Sequence, residues 1–152
     1  MFNEIKKISS LLLSVAFSSI GFIASITVTV LAAREVSSNP LFVGFPNAVG
    51  VGGAVIGTRM IYLISKSNSQ LNALAFTFLI GAFGGAIMFY SLILDSFLLL
   101  LLGAFILGIG QSATLQTRYA ASFVAGAKFK ATALSLAVWF SVFGSVFGPR
   151  MV

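Results

Sequence analysis

Apolar residues run along this chain in long uncharged stretches, divided by short polar clusters. Charges fall only at Glu4, Lys6, Lys7, Arg34, Glu35, Arg59, Lys66, Asp95, Arg118, Lys128, Lys130 and Arg150. No charged residue lies between Lys7 and Arg34, between Lys66 and Asp95, or between Asp95 and Arg118. A bilayer core about 30 Å thick is crossed by roughly 20 residues rising 1.5 Å each, and every one of those gaps is long enough. The pattern predicts an all-α integral membrane protein with five spanning helices, at about 8–33, 41–64, 71–94, 97–117 and 131–149. The connections are short (34–40, 65–70 and a tight hairpin at Asp95–Ser96), so neighbouring spans are expected to run antiparallel.

The basic residues give the expected orientation. With the N-terminus inside, the cytoplasmic face collects Lys6, Lys7, Lys66, Arg118, Lys128 and Lys130, and Arg59 reaches it by snorkelling. The outer face then holds Arg34 and Arg150 beside Glu35 and Asp95. This positive-inside bias points to a multi-pass protein of the cell (inner or plasma) membrane. A cleaved signal peptide is the competing reading of the first segment, since Lys6 and Lys7 precede the apolar run and Leu31-Ala32-Ala33 faintly resembles a cleavage site. The run far exceeds the 7–15 residues of a signal core, so it reads as a span.

Composition narrows the function classes. Hydrophobic residues make up 59% of the chain and charged residues 8%, where a soluble domain carries about 25% charged. Mean hydropathy is +1.08. The chain has neither cysteine nor histidine, so no disulfide framework, metal centre or cofactor is expected. The net charge of +6 is spread singly over span ends, which argues for topology signals and against a nucleic-acid partner. No nucleophile with its base, carboxylate pair or phosphate loop is recognisable, and an enzyme is not expected. The lipid bilayer is the first expected partner.

Small and polar residues mark candidate sites within the spans. Span two contains Gly44, Gly50, Gly52, Gly53 and Gly57. Gly53 with Gly57, and Ala48 with Gly52, form offset small-xxx-small pairs of the kind that lets helix backbones approach. Such a surface serves either a helix that slides against its neighbour or a static contact. Pro46 and Asn47 fall one to two turns inside that span, where proline either kinks the helix toward a cavity or is simply tolerated near its start. Ser14, Ser18 and Ser25 share a face of span one, and either line a substrate cavity or bond back to their own helix. Gln111 and Thr114 share a face of span four with Arg118. Polar side chains at membrane depth normally face the protein interior, so Gln111 and Thr114 are substrate-cavity candidates, while Arg118 and Lys66 read as cytoplasmic anchors. Gly108 and Gly110 lie within the same apolar span and are assigned to packing, since a dinucleotide fingerprint has no place there. No acidic residue lies at mid-membrane depth, and no span is polar along its whole length as an oligomeric pore requires.

The stretch from Leu98 to Gln111, then Gln116-Thr-Arg-Tyr-Ala-Ala121, Leu134-Ser-Leu-Ala-Val-Trp139 and Gly144-Ser-Val-Phe-Gly-Pro149, resembles the fourth and fifth spans of major facilitator superfamily transporters. Gly144, Gly148 and Pro149 match the start of the fifth-helix motif of its efflux-type antiporters. The family's charged motif after the second span is not carried over: counting from Gly57, Ile61 stands at the aspartate position, Tyr62 at the arginine and Ile64 at the second glycine. Ala104 stands where relatives often have a fourth-span arginine.

The resemblance implies a secondary transporter of a small solute, working by alternating access between two six-span halves. It implies that residues 1–152 form one membrane domain, a partial major-facilitator-like bundle and an N-terminal fragment of the two-half carrier. The missing second half would be its partner, and the chain alone would not transport. A different class remains open, a small membrane subunit or assembly protein whose glycine-rich helices are contact surfaces.

Overall fold

The computed structural model describes residues 2–37, 39–67 and 69–124, together with Ser135, Val138, Trp139 and Val142; side chains are described from Phe17 to Thr117 and at those four positions. The elements are α1 (Phe2–Val36), a 3₁₀ turn (Pro40–Phe42), α2 (Phe45–Ser67), α3 (Gln70–Ile93) and α4 (Phe97–Val124). There is no strand among the described residues. The segments Phe17–Val36, Pro40–Ser67, Gln70–Ile93 and Phe97–Thr117 are four that are long and apolar enough to cross a membrane. Of the fifth expected span, Ser135, Val138, Trp139 and Val142 are helical and exposed; the rest of 131–149 lies outside the described residues.

The apolar segments Pro40–Ser67 and Phe97–Thr117 match the expected spans closely, but the helices do not share all their ends. The fourth helix does not stop at residue 117 but continues to Val124. A charge such as Arg118 limits how long a helix stays in hydrocarbon, not its helicity, and Arg118, Ala120 and Ala121 are good helix formers. The second helix starts at Phe45, not at Leu41. Asn39, extended at φ −115° and ψ 119° as the residue before a proline prefers, accepts the Leu41 N–H on its side chain and sets up the 3₁₀ turn. Pro46 therefore falls in the first turn of α2, where its missing N–H breaks no intrahelical hydrogen bond and proline is tolerated.

The expected hairpin between α3 and α4 is present and has a specific geometry. The Ser96 N–H donates to the Ser91 carbonyl at 3.1 Å, across Asp95 in the left-handed region at φ 49°. This is a Schellman turn with aspartate at the position glycine usually takes. Ser96 then begins α4, its side chain accepting the Leu99 N–H at 3.4 Å and its carbonyl the Leu100 N–H at 3.0 Å. Asp95→Gly removes the left-handed strain and is expected to raise stability by about 0.5–1 kcal/mol. A higher thermal midpoint of the detergent-solubilised protein checks it.

The chain divides into two compact units, Met1–Ser25 with Thr114–Val152, and Ile26–Ala113. In the second unit the usual polarity of a soluble protein is inverted. Leu79 at 61% exposure, Phe83 at 70% and Val55 at 68% point outward, while Gly50, Gly53, Gly57, Gly81, Gly84, Thr77 and Ser91 are buried. A core cluster in it comprises Ala32, Ala33, Met88, Leu100 and Ala104, with Val43, Leu92, Phe97 and Leu107 packed against it. Large apolar side chains facing out and small ones facing in suit a hydrocarbon solvent, where close backbone packing replaces the hydrophobic force between helices. In the first unit Ser19, Thr114 and Thr117 are buried.

Candidate functional site

Within the second unit, α4 is held on two faces by glycine seams. A Cβ on Gly53 would strike the Phe105 carbonyl oxygen, and one on Gly57 would come within 2.6 Å of the Ile109 carbonyl and 2.5 Å of Ser112 Oγ. From the other side, a Cβ on Gly108 would strike the Gly50 carbonyl. Gly53, Gly57 and Gly108 thus form one backbone-to-backbone contact between α2 and α4. The offset pair Ala48 and Gly52 is exposed, with nothing within 4 Å of a Cβ on Gly52.

Gly110 follows Gly108 by two residues, a rotation of about 200° on a helix, and so faces the opposite neighbour. A Cβ on Gly81 would lie 2.8 Å from the Gly110 Cα, and a Cβ on Gly84 would strike the Leu107 amide nitrogen. A Cβ on Gly103 would lie 2.7 Å from Met88 Cγ and 2.8 Å from the Met88 amide nitrogen. This α3 seam escaped the sequence reading. Its signal is the spacing of Thr77, Gly81, Gly84, Met88 and Ser91, small or flexible residues at alternating intervals of four and three on the buried face.

The buried hydroxyls bond along their own helices. Thr77 donates to the Ala73 carbonyl at 2.8 Å, Ser91 to Met88 at 2.6 Å and Ser112 to Ile109 at 2.6 Å. Such back-bonding leaves the helix ladder intact and hides the hydroxyl proton from hydrocarbon. Thr29 Oγ1 instead reaches across to Met88 Sδ at 4.0 Å, a weak contact between α1 and α3. Gln111 is half-buried and follows Leu100 and Ala104 by eleven and seven residues, on the face of α4 that those two present to the core. Ala104 is 3% exposed, and its small side chain suits that cluster.

The remaining candidates lie in the first unit, apart from Gln111 and Lys66. Ser18 and Ser25 are half-buried, and the Ser25 hydroxyl donates to the Phe22 carbonyl at 2.7 Å. Thr114 is 4% exposed. The side chains of Ser14 and Arg118, and all of Gly144, Gly148 and Pro149, lie outside what is described, while Lys66 in the second unit is exposed at the end of α2. The sequence reading passed over Ser19, which is 1% exposed and whose hydroxyl has no hydrogen-bond partner among the described residues. Ser18 and Ser19 are adjacent, about 100° apart, and sequence spacing alone does not tell which of the two faces inward.

Among the described residues, these candidates present hydroxyls, an amide and glycine backbone. Two relatives from Bacillus subtilis (strain 168) are similar to this chain. The uncharacterized MFS-type transporter YdeG is 31% identical over 140 residues, which is 92% of this chain and 33% of YdeG. The uncharacterized MFS-type transporter YddS is 32% identical over 147 residues, 97% of this chain and 34% of YddS. The chain therefore spans about one third of the length of these curated relatives and resembles part of a major-facilitator-type transporter. No family model and no solved structure matches it. With four apolar helices of spanning length among the described residues, the chain is a multi-pass membrane protein.

Proposed function

We propose that this chain carries the first spans of a secondary transporter of the major facilitator type, which moves a small solute, by efflux, across the cell membrane. The observation that carries the reading is similarity to two MFS-type transporters along nearly the whole of this chain. The inverted packing supports it, because glycine seams let neighbouring helices re-seat with little side-chain interlock. In this proposal the chain crosses the bilayer five times from an N-terminus inside, as one membrane domain completed by a second half. Gln111, Thr114 and the serine face of α1 (Ser14, Ser18, Ser25) line the solute path, Gly144, Gly148 and Pro149 shape the fifth helix, and Arg118 and Lys66 anchor the cytoplasmic ends. Alternating access rocks the two halves about a midplane site.

Immunoblotting of native membranes with an antibody to the 65–70 loop tests the carrier reading. A product about three times the 16.0 kDa of this chain is expected from its share of the relatives. A product of 16.0 kDa with no second-half partner sinks the reading and leaves a small membrane subunit. Orientation is tested on the same protein, since the chain contains no cysteine and single cysteines label without background. Ser96→Cys is expected to react with an impermeant maleimide in intact cells, and Ser67→Cys only after permeabilisation. The reverse pattern overturns the inside placement of the N-terminus.

A further inference from the structure

We propose that the outward face of α2 around Arg59 binds an anionic phospholipid, its phosphate on Arg59 and an acyl chain in the adjoining groove. Arg59 is exposed and sits eight residues before the end of α2, deep inside an otherwise uncharged span that next meets a charge at Lys66. Lys66 is seven residues further on, on the same face and about 10 Å along the axis. A groove of about 480 Å³ lies here, lined by Val55, Ile56, Arg59, Met60, Leu63 and Ile64.

The composition of this face distinguishes lipid from another helix. Where α2 meets α4, it does so through Gly50, Gly53 and Gly57. The Arg59 face carries large apolar side chains, as do the outward positions Leu79 and Phe83 of α3. Charge then selects the lipid. The carboxylates of this unit, Glu35 and Asp95, stand at the end of α1 and in the α3–α4 turn. Both lie at the end of the antiparallel bundle opposite Lys66, so neither neutralises Arg59. Nor does snorkelling solve the problem cleanly. Side chains on a helix lean toward its N-terminus, which for Arg59 is the direction away from the nearer end. A charge held at that depth is costly, and a phosphate drawn down to a bidentate guanidinium relieves it. Lys66 adds a second cation at headgroup level.

The proposal stands independently of the transport reading; only the leaflet depends on the proposed orientation. The test is native mass spectrometry of the full chain, purified in a mild detergent with palmitoyl-oleoyl phosphatidylglycerol or phosphatidylcholine. Wild type is expected to retain the anionic lipid at least fivefold over the zwitterionic one, and Arg59→Gln to bring that ratio close to one. Arg59→Lys, which keeps the charge without the fork, is expected to hold an intermediate ratio, and it serves alone if Arg59→Gln fails to fold. Equal retention of the two lipids by wild type, or a preference that survives in Arg59→Gln, overturns the proposal. So does displacement of phosphatidylglycerol by millimolar inorganic phosphate, which marks a simple anion site. A lipid-independent dimer lost in Arg59→Gln also overturns it, because a second copy then covers the face.

Discussion

Gly53→Ala is expected to destabilise the protein by about 1–3 kcal/mol, while Gly52→Ala, one residue away, is neutral or stabilising by up to ~1 kcal/mol. The two substitutions are chemically identical and sit in the same helix, so propensity and loss of backbone freedom affect both alike. They differ in what the new methyl meets. At Gly52 there is nothing within 4 Å; at Gly53 it would strike the Phe105 carbonyl oxygen of α4. A backbone carbonyl cannot swing aside as a side-chain end does, so the helices must separate and give up the contacts along the seam. Gly108→Ala meets the Gly50 carbonyl from the other side and is expected to behave like Gly53→Ala. Thermal midpoints of the detergent-solubilised variants decide the matter. Equal losses at Gly52 and Gly53 would mean that α2 does not pack on α4 through this face.

The α3 seam gives the second large effect. Gly84→Leu is expected to abolish recovery of monodisperse protein, whereas Gly85→Leu yields folded protein with a midpoint within a few degrees of wild type. A Cβ on Gly84 would strike the Leu107 amide nitrogen and lie 2.8 Å from both the Ile106 carbonyl carbon and the Leu107 Cα. On Gly85 its closest neighbour is the end of the Leu107 side chain at 3.8 Å, ordinary contact with an atom that can rotate away. Overpacking by a whole leucine against backbone exceeds what local relaxation absorbs. Size-exclusion profiles of the solubilised variants, read beside total expression, separate misfolding from poor synthesis. Recovery of Gly84→Leu at wild-type yield would refute the close approach of α3 and α4.

The two experiments bear on how far this chain explains itself. The Gly53 and Gly57 pair was visible as a small-xxx-small pattern, and the structure uses it. Ala48 and Gly52 show the same pattern and face outward. The pattern says that a close contact is available, not which of two offset faces is turned toward the neighbour. Helix rotation settles that, and rotation depends on residues of other helices, here Phe105, Ile109 and Ser112. The same reasoning covers Gly108 and Gly110, which are both assigned to packing by sequence and meet different helices. It covers Ser19 as well, buried beside the half-buried Ser18. Arg118 marks a different limit: the first charge after the apolar run ends the apolar segment at Thr117, as the sequence indicates, while the helix itself continues to Val124.

The sequence by itself determined that the chain lives in a membrane, where α1 to α4 run and where α3 turns into α4. Those features depend on hydrophobic run length, on the placement of charge and on local hydrogen bonds at Asn39, Ser69 and Ser96, all of which act within a few residues. Only the tertiary structure decided that α4 is gripped on two faces by glycine, that the α3 stripe from Thr77 to Ser91 is a contact surface, and that Arg59 stands on an aliphatic outer face. In hydrocarbon an outward leucine and an inward leucine differ little in solvation, so hydrophobicity does not orient the helices. Orientation comes from which backbones fit closely together, a property of pairs of helices that no single stretch of sequence contains.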